Sequence, residues 1–213
     1  MNKKICVATS SRADYGLLRS LLLKLEKSNK CELELLVTGS HLLKKQGFTF
    51  QEVIKDKYKS IHKLKVNMFS NTNLDTNKLI GSLIKKSSIM LNKIRPKFLL
   101  IMGDRFEIFA MVLSSYVLNI PVVHISGGET TEGALDEGFR HSITKMSFLH
   151  FTSNKIYRQR VIQLGENPKT VFNIGEIGLD FLDKITFLTS KELMNLLKIK
   201  FNKYNILITL HPE

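Results

Sequence analysis

Acidic residues are concentrated in one segment of an otherwise strongly basic chain. Glu129, Glu132, Asp136 and Glu137 directly follow an apolar run at 120–125, whereas the whole chain carries a formal net charge of +13. Two glycines precede them, which lets the backbone pass close to a bulky group. Ligands bind beyond the carboxyl ends of parallel strands, and clustered carboxylates raise one another's pKa, so that proton transfer at neutral pH becomes feasible. We interpret the segment as part of an active site.

The end of this segment has the spacing of an amphipathic helix. A helix that begins near Asp136 places Asp136 and Arg140 on one face, and Glu137 and His141 on the adjacent face. The alternative is a surface helix whose ion pairs contribute a few tenths of a kcal/mol each. We favour a functional face, and we take Glu129 as a further candidate base.

Two other predicted strand ends carry polar side chains. The apolar run at 97–102 precedes Asp104, a candidate general base, although Asp104 and Glu107 together also resemble a capping box. The first strand ends before Arg12 and Asp14, where a helix N-terminus attracts anions and Arg12 could clamp a phosphate. The alternative is that Asp14 is only an N-cap and Arg12 is solvated.

Strands and helices alternate in the elements that must position these groups. Continuous apolar strands that alternate with helices predict a parallel sheet covered on both faces, which is a Rossmann-like, doubly wound α/β fold. The pattern predicts strands at 4–9, 32–38, 60–66, 97–102, 121–125, 148–152 and 170–174. It predicts helices at 15–27, 49–56, 73–93, 106–118, 137–146 and 154–164. In the helix at 106–118, Val117 is among the residues expected to face the core.

The last part of the chain predicts the beginning of another unit. We assign residues 1–185 to the Rossmann-like domain, and 186–213 to a connecting helix and the first strand, 205–210, of a second domain. No covering helix follows that strand, so the chain is expected to be truncated there.

Composition excludes several classes of protein. No apolar stretch reaches the ~18–20 residues of a membrane span, and the apolar part of the N-terminus is too short for a secretory signal, so we expect a cytoplasmic protein without a membrane partner. Lysines are scattered rather than grouped in basic runs, which argues against nucleic-acid binding. Dinucleotide, P-loop and metal-ligand motifs are missing, so we predict no cofactor and no metal. His124 and His150 lie in apolar strands and are interpreted as core histidines.

Seven motifs in chain order resemble those of hydrolysing UDP-N-acetylglucosamine 2-epimerases. They are SSRADYG at 10–16, VTGSH at 37–41, GDRFE at 103–107, HISGGE to DEGFRHSITK at 124–145, QLGENP at 163–168, FNIG at 172–175 and LHPE at 210–213. The resemblance implies the N-terminal domain of a two-domain, glycosyltransferase-B-like fold with the active site between the domains. It also implies a nucleotide-sugar substrate and no nicotinamide.

The reaction that the resemblance implies is an elimination followed by addition of water. The C2 proton is abstracted, UDP leaves C1 to give a glycal, and water addition with inverted C2 geometry yields N-acetylmannosamine for sialic-acid synthesis. By motif match, Asp104 and Asp136 are acid/base groups, Arg12 and Arg140 hold substrate or phosphate, and His211 lines the site from the second domain.

Alternatives remain open at this point. Many relatives have Glu where this chain has Ser126, so Glu129 would take over that role or the substrate would differ. A nucleotide-linked 2,4-diacetamido-2,4,6-trideoxyglucose, on the route to legionaminic acid, is the second substrate. An inactive sugar-nucleotide-binding remnant and a basic nucleic-acid-binding module are the other hypotheses. No pattern decides between a monomer and a homo-oligomer.

Overall fold

A computed structural model describes residues 3–66 and 72–210, apart from the side chains of 181–184. Within these residues seven strands form one sheet: β1 Lys3–Thr9, β2 Cys31–Val37, β3 Ile61–Lys63, β4 Phe98–Met102, β5 Val122–Ile125, β6 Leu149–Thr152 and β7 Val171–Asn173. The α-helices of the same residues are α1 Arg12–Glu26, α2 Phe50–Lys55, α3 Asn73–Ile94, α4 Phe106–Val117, α5 Leu135–Lys145, α6 Lys155–Gln163 and α7 Ser190–Leu197. None of these helices combines the length and the apolar character needed to cross a membrane.

The sheet is parallel and its order is β3-β2-β1-β4-β5-β6-β7. The chain moves outward from β1 to β3 and then returns to the other side of β1 with β4. The carboxyl ends of β1 and β4 therefore flank the switch point at which open α/β sheets bind ligands. This confirms the predicted doubly wound α/β fold.

Alternate residues of the central strands supply two cores. Cys6 and Ala8 pack on the face covered by α3, α4 and α5, whereas Val7 packs on the face covered by α1 and α2. Leu99 and Ile101 of β4 belong to the first core, and both are fully buried. Because both faces are covered, these strands are apolar along their whole length rather than alternating with polar residues.

The structure corrects the predicted inner face of α4. Val117 was expected to face the core, but it lies in the last turn of the helix and is 70% exposed. The fully buried residues of this helix include Ile108, Met111 and the charged Glu107. An apolar helix such as this one carries little periodic information, so its buried face is set by the neighbouring α3 and α5.

The chain divides into two compact units, Met1–Gly178 and Leu179–Glu213. The division falls before the predicted boundary at residue 185, and the assignment of 186–213 to a second domain stays a prediction. The connecting helix is present as α7, which begins with a capping box between Thr189 and Glu192. The strand predicted at 205–210 is wrong for this structure, because those residues have no regular secondary structure and Leu207 is 94% exposed. A strand requires a neighbouring strand, and the sheet formed by the described residues does not include 205–210.

Candidate functional site

A cavity of about 410 Å³ lies at the switch point of the sheet, entirely within the first unit. Residues that follow β1, β4, β5 and β7 line it together with α5: Ser11, Ala13, Asp14, Leu17, Met102, Gly103, Asp104, Arg105, Ser126, Glu129, Asp136, Arg140 and Glu176. Five of these side chains are acidic and two are guanidiniums. Acidic groups that follow four strands therefore meet in one place, and three of these strand ends, those of β1, β4 and β5, were predicted from the sequence.

Arg140 is the centre of the charged network beside the cavity. Its side chain is 5% exposed, and its Nη2 donates to the Asp104 carboxylate, which lies 36 residues away in sequence. Nη1 donates to Glu137 Oε2 at 2.8 Å and to the Glu129 carbonyl oxygen at 3.0 Å, and Nη2 also donates to Thr131 Oγ1 at 3.1 Å. The predicted substrate-binding role of Arg140 stays a prediction. In this structure its guanidinium binds the protein's own acceptors.

Glu137 ties the start of α5 to the loop that precedes it. Its carboxylate accepts from Thr131 N at 2.7 Å, from Arg140 and from His141 Nε2 at 3.0 Å. Burial alone would raise the pKa of Glu137, but the Thr131 and His141 hydrogen bonds and the nearby guanidinium lower it. Glu137 and His141 form an i,i+4 pair on α5, as expected for an ordinary surface helix. Arg140, however, reaches across to another strand end instead of pairing with Asp136.

Asp136 lies in the first turn of α5 and lines the cavity. Burial raises the pKa of its carboxyl, and the nearby Asp104 charge raises it further, against the opposing effect of Arg105 and Arg140. Among the described residues, no cation lies within ion-pair distance of Asp136. A raised pKa makes the ionised carboxylate a stronger base and increases the fraction of the carboxyl that is protonated at neutral pH, so the same group can accept and later return a proton.

Glu129 sits on the loop that follows β5. Its pKa is raised by burial first and by the charges of Glu176 and Asp104, while a 3.3 Å hydrogen bond from Ser153 Oγ and the Arg140 charge act in the opposite direction. Glu176, which also lines the cavity, was not singled out from the sequence. It follows the short strand β7, and that position is the only signal that could have found it.

Each of the two glycines before Glu129 has a separate structural reason. A Cβ on Gly127 would lie 3.0 Å from His124 Nδ1. Gly128 has φ +84°, and a Cβ there would lie 2.4 Å from the Tyr157 carbonyl oxygen. The predicted close approach is therefore confirmed, and the bulky neighbours are a buried imidazole and the backbone of α6. Before them, Ser126 adopts φ 64°, a left-handed conformation that non-glycine residues rarely adopt, and it lines the cavity.

The loop after β1 is held by Asp14. Ser11 is the N-cap of α1 and forms a capping box with Asp14, so the expected N-cap role of Asp14 is wrong by three positions. The Asp14 carboxylate accepts from Ser10 N at 2.9 Å and from Ser11 N at 3.1 Å. Arg12 is exposed and does not line the cavity. Its expected role as a phosphate clamp stays a prediction.

The capping box predicted for Asp104 and Glu107 is wrong. Arg105 is the N-cap of α4, and no side chain caps this helix. Glu107 is fully buried, and it accepts two hydrogen bonds from Arg105, both at 3.1 Å. With its capping role removed, Asp104 is bound by Arg140 at the cavity wall, which favours the functional interpretation.

The two histidines interpreted as core residues are both fully buried. His124 and His150 lie opposite each other on β5 and β6. His211, the predicted contribution of the second domain, lies outside the described residues. Within 3–66 and 72–210, no group of three or more His, Cys, Asp or Glu side chains is arranged to hold a metal ion.

The fold and the cavity define a class: a Rossmann-like α/β protein with carboxylates at the switch point of its sheet. A family model described as UDP-N-acetylglucosamine 2-epimerase matches residues 23–213. The chain therefore belongs to the UDP-N-acetylglucosamine 2-epimerase family, as the motif resemblance predicts.

Several known proteins are similar to this chain. The GDP/UDP-N,N'-diacetylbacillosamine 2-epimerase (hydrolyzing) of Campylobacter jejuni is 36% identical over 99% of this chain and 54% of the relative. Polysialic acid biosynthesis protein P7 of Escherichia coli is 38% identical over 99% of this chain and 54% of the relative. The crystal structure of the Neisseria meningitidis UDP-GlcNAc 2-epimerase bound to UDP-GlcNAc gives a TM-score of 0.78 at 21% identity, covering 91% of this chain and 53% of that one. That likeness supports the fold, and the chain spans about half the length of the curated relatives it matches.

Proposed function

We propose that this chain carries the acid/base half of a hydrolysing 2-epimerase that acts on a nucleotide-diphosphate-linked 2-acetamido sugar. UDP-N-acetylglucosamine is the first candidate substrate, and N-acetylmannosamine and UDP are its products. The chemistry needs a base at C2, an acid at the departing phosphate oxygen, and a proton donor on C2 when water adds. No cofactor takes part in these steps.

One observation carries the proposal: Asp104, Glu129 and Asp136 line the same cavity, and the pKa values of Glu129 and Asp136 are raised. Carboxyl groups whose pKa values are shifted toward neutrality can exchange protons with carbon at neutral pH. We assign the C2 proton transfers to Asp136 and Glu129. Asp104, which is fixed by Arg140, would orient the sugar and the leaving group.

Phosphate binding is assigned to groups outside this carboxylate cluster. Arg12 is exposed at the first position of α1, where the helix N-terminus favours anions, and it is free to approach a pyrophosphate beside the cavity. We keep His211 as a proposed contact to the nucleotide sugar. The cytoplasmic location, the homo-oligomer and the lack of nucleic-acid binding stay predictions, and RNA or DNA binding that weakens steeply with salt would contradict the last of them.

A second candidate substrate is UDP-N,N'-diacetylbacillosamine, a 2,4-diacetamido-2,4,6-trideoxy sugar. It is favoured by the similarity to the C. jejuni GDP/UDP-N,N'-diacetylbacillosamine 2-epimerase (hydrolyzing), which is 36% identical over nearly the whole chain. The reaction at C1 and C2 is the same, and the two substrates differ only at C4 and C6. The same assay therefore distinguishes them.

The test is proton NMR of the purified chain in D₂O with each sugar nucleotide in turn. Elimination and re-addition in D₂O must place deuterium on C2 of the released manno-configured sugar and must release UDP. Asp136→Asn, Glu129→Gln and Asp104→Asn should each lower the rate by about 100-fold or more. Glu132→Gln is the matched control, since Glu132 lies in the same loop, is exposed and does not line the cavity.

Each outcome has a distinct meaning. C2-deuterated N-acetylmannosamine supports the first substrate, and turnover of the diacetamido sugar alone supports the second. Near-normal rates in all three carboxylate variants would overturn the assignment. A folded chain that binds UDP by saturation-transfer NMR but turns over neither sugar would instead support a binding remnant.

A further inference from the structure

His124 connects the two elements that carry the ion pair of the cavity. From the middle of β5 its Nε2 lies 3.1 Å from the carbonyl oxygen of Gly103, the residue before Asp104. Its Nδ1 lies 3.3 Å from Thr144 Oγ1 on α5, and that hydroxyl in turn lies 3.0 Å from the Arg140 carbonyl oxygen. One imidazole therefore touches the backbone turn of Asp104 and the helical turn of Arg140.

The protonation state of this imidazole follows from its partners. His124 is fully buried, and burial lowers the pKa of its ring to about 3, so the ring is neutral at physiological pH. A carbonyl oxygen can only accept, so Nε2 must carry the hydrogen and Nδ1 must be the acceptor. The Thr144 hydroxyl lies between two acceptors, Nδ1 and the Arg140 carbonyl oxygen, and its single hydrogen is donated to one of them at a time. The neutral ring thus has a fixed tautomer and a fixed orientation.

A third segment also depends on this ring. A Cβ on Gly127 would lie 3.0 Å from His124 Nδ1 and 3.3 Å from Thr144 Oγ1. The glycine lets the loop that carries Glu129 pass directly over the imidazole and the hydroxyl. The backbone segments that carry Asp104, Arg140 and Glu129 therefore all lie against His124 or its partner Thr144.

We propose that His124 is a positioning residue that holds the Asp104 turn against α5, so that Asp104, Arg140 and Asp136 keep their mutual distances. It acts through the backbone and does not line the cavity. The inference rests on the proposed function only in treating these carboxylates as the reacting groups. The geometric claim holds whichever sugar is bound.

The competing interpretation is an ordinary core histidine, and the chain offers a matched control. His150 faces His124 across the β5–β6 ladder and is equally buried, but its hydrogen-bonding atoms make no bond to the cavity loops. Its nearest charged partner is Glu166, with Oε2 3.3 Å from His150 Nε2. Replacing either histidine by Phe removes a buried imidazole from the same sheet, whereas only His124 touches the Asp104 turn.

The experiment is a carbon-13 NMR titration of the Asp and Glu carboxyl groups in the folded chain. Asp104, Arg105 and Arg140 are the charged groups that act on Asp136, so the pKa of Asp136 reports their arrangement. His124→Phe removes the Nε2 hydrogen bond to Gly103 and the Nδ1 acceptor that faces Thr144. Thr144→Val removes the hydroxyl alone, and His124→Gln keeps a donor close to the position of Nε2. His150→Phe is the control.

We expect the pKa of Asp136 to shift from its wild-type value in His124→Phe and Thr144→Val, because Asp104 raises it and Arg105 and Arg140 lower it. It should be largely restored in His124→Gln and stay unchanged in His150→Phe. A lower melting temperature shared by all four variants does not affect this readout. In any form that turns over substrate, His124→Phe should lower kcat by about 100-fold with little change in KM, because small misplacements of reacting groups act on the transition state.

An unchanged Asp136 pKa in folded His124→Phe and Thr144→Val would overturn the proposal, as would an equal shift in His150→Phe. If His124→Phe does not fold, Thr144→Val and His124→Gln still decide the question. The titration does not require turnover. A chain that is inactive toward both sugars but shows the expected shifts would contradict the proposed function and leave the positioning role intact.

Discussion

Replacement of Arg140 by Met should destabilise the chain strongly, because it leaves two carboxylates without their cation. Met keeps most of the buried apolar stem and removes the guanidinium, which is 5% exposed. Removal of one partner from a buried ion pair costs about 3–5 kcal/mol. Asp104 and Glu137 are 21% and 27% exposed, so each can recover some hydration, which favours the lower end of that range.

The neutral acceptors add a smaller contribution. The Glu129 carbonyl oxygen and Thr131 Oγ1 each lose a hydrogen bond, worth about 1 kcal/mol apiece. The expected loss in the free energy of unfolding is therefore about 3–5 kcal/mol in total, or a melting temperature lower by roughly 10 °C for a chain of this size. Urea unfolding followed by circular dichroism at pH 7 measures it directly.

The sign of the pH dependence tests the physical cause. The lowered pKa of Glu137 gives a stability contribution that is present above the unfolded-state pKa and lost as the pH falls through the folded-state pKa. The difference between the wild type and Arg140→Met should therefore shrink as the carboxyls protonate. In a double-mutant cycle, Asp104→Asn should cost less in the Arg140→Met background, with a coupling of about 0.5–3 kcal/mol.

Arg12→Met is the control for this substitution, since Arg12 is exposed and should change the unfolding free energy by less than about 0.5 kcal/mol. A loss below about 1 kcal/mol for Arg140→Met, or no coupling to Asp104, would refute the view that this guanidinium holds the cavity together.

Two further substitutions test the cavity: one is expected to stabilise the chain, and the other tests the backbone conformation of the loop after β5. Asp136→Asn should raise the free energy of unfolding at pH 7 by less than about 1 kcal/mol, because a raised pKa means a contribution that is present below the unfolded-state pKa and lost as the pH rises, and because solvent screens this partly exposed carboxyl. Urea unfolding should show the gain disappearing at pH 4, and an Asn variant that is less stable at pH 7 contradicts it. Gly128→Ala should cost at least about 2 kcal/mol more than Gly133→Ala, since both glycines have positive φ but only a Cβ at 128 would meet the Tyr157 carbonyl oxygen. Equal melting temperatures of the two alanine variants would show that the loop moves aside.

The alternation of strands and helices could be read from the sequence because both faces of the sheet are covered. A strand such as Phe98–Met102 is then a continuous apolar run, and its boundaries are visible without any partner. The run at 205–210 looks the same in sequence, yet it is not a strand here. A strand depends on its neighbours, and an apolar run alone cannot report whether they are present.

The location of the site was predictable, but its internal connections were not. Parallel strand ends meet at one edge of a sheet, so the sequence placed Asp104, Glu129 and Asp136 close together. The bond from Arg140 to Asp104 spans 36 residues and depends on the packing of α5 against α4. Local spacing favoured Asp136 as its partner, whereas Arg140 pairs with Glu137 and Asp104. Likewise, an isolated histidine in an apolar strand gives no indication of the carbonyl and hydroxyl that it connects.

The carboxylates of the cavity fall into two groups that differ in how they are bound. Asp104 and Glu137 are held by Arg140, whereas Asp136 and Glu129 are partly buried and no ion pair to either is found among the described residues. The first pair stabilises the fold and fixes the geometry. The second pair destabilises the fold at neutral pH, and the same burial that makes it unfavourable raises its pKa toward the range in which a carboxyl exchanges protons with carbon. We therefore expect Arg140→Met to lower the free energy of unfolding at pH 7 and Asp136→Asn to raise it. That difference in sign would separate the residues that stabilise this cavity from those that react in it.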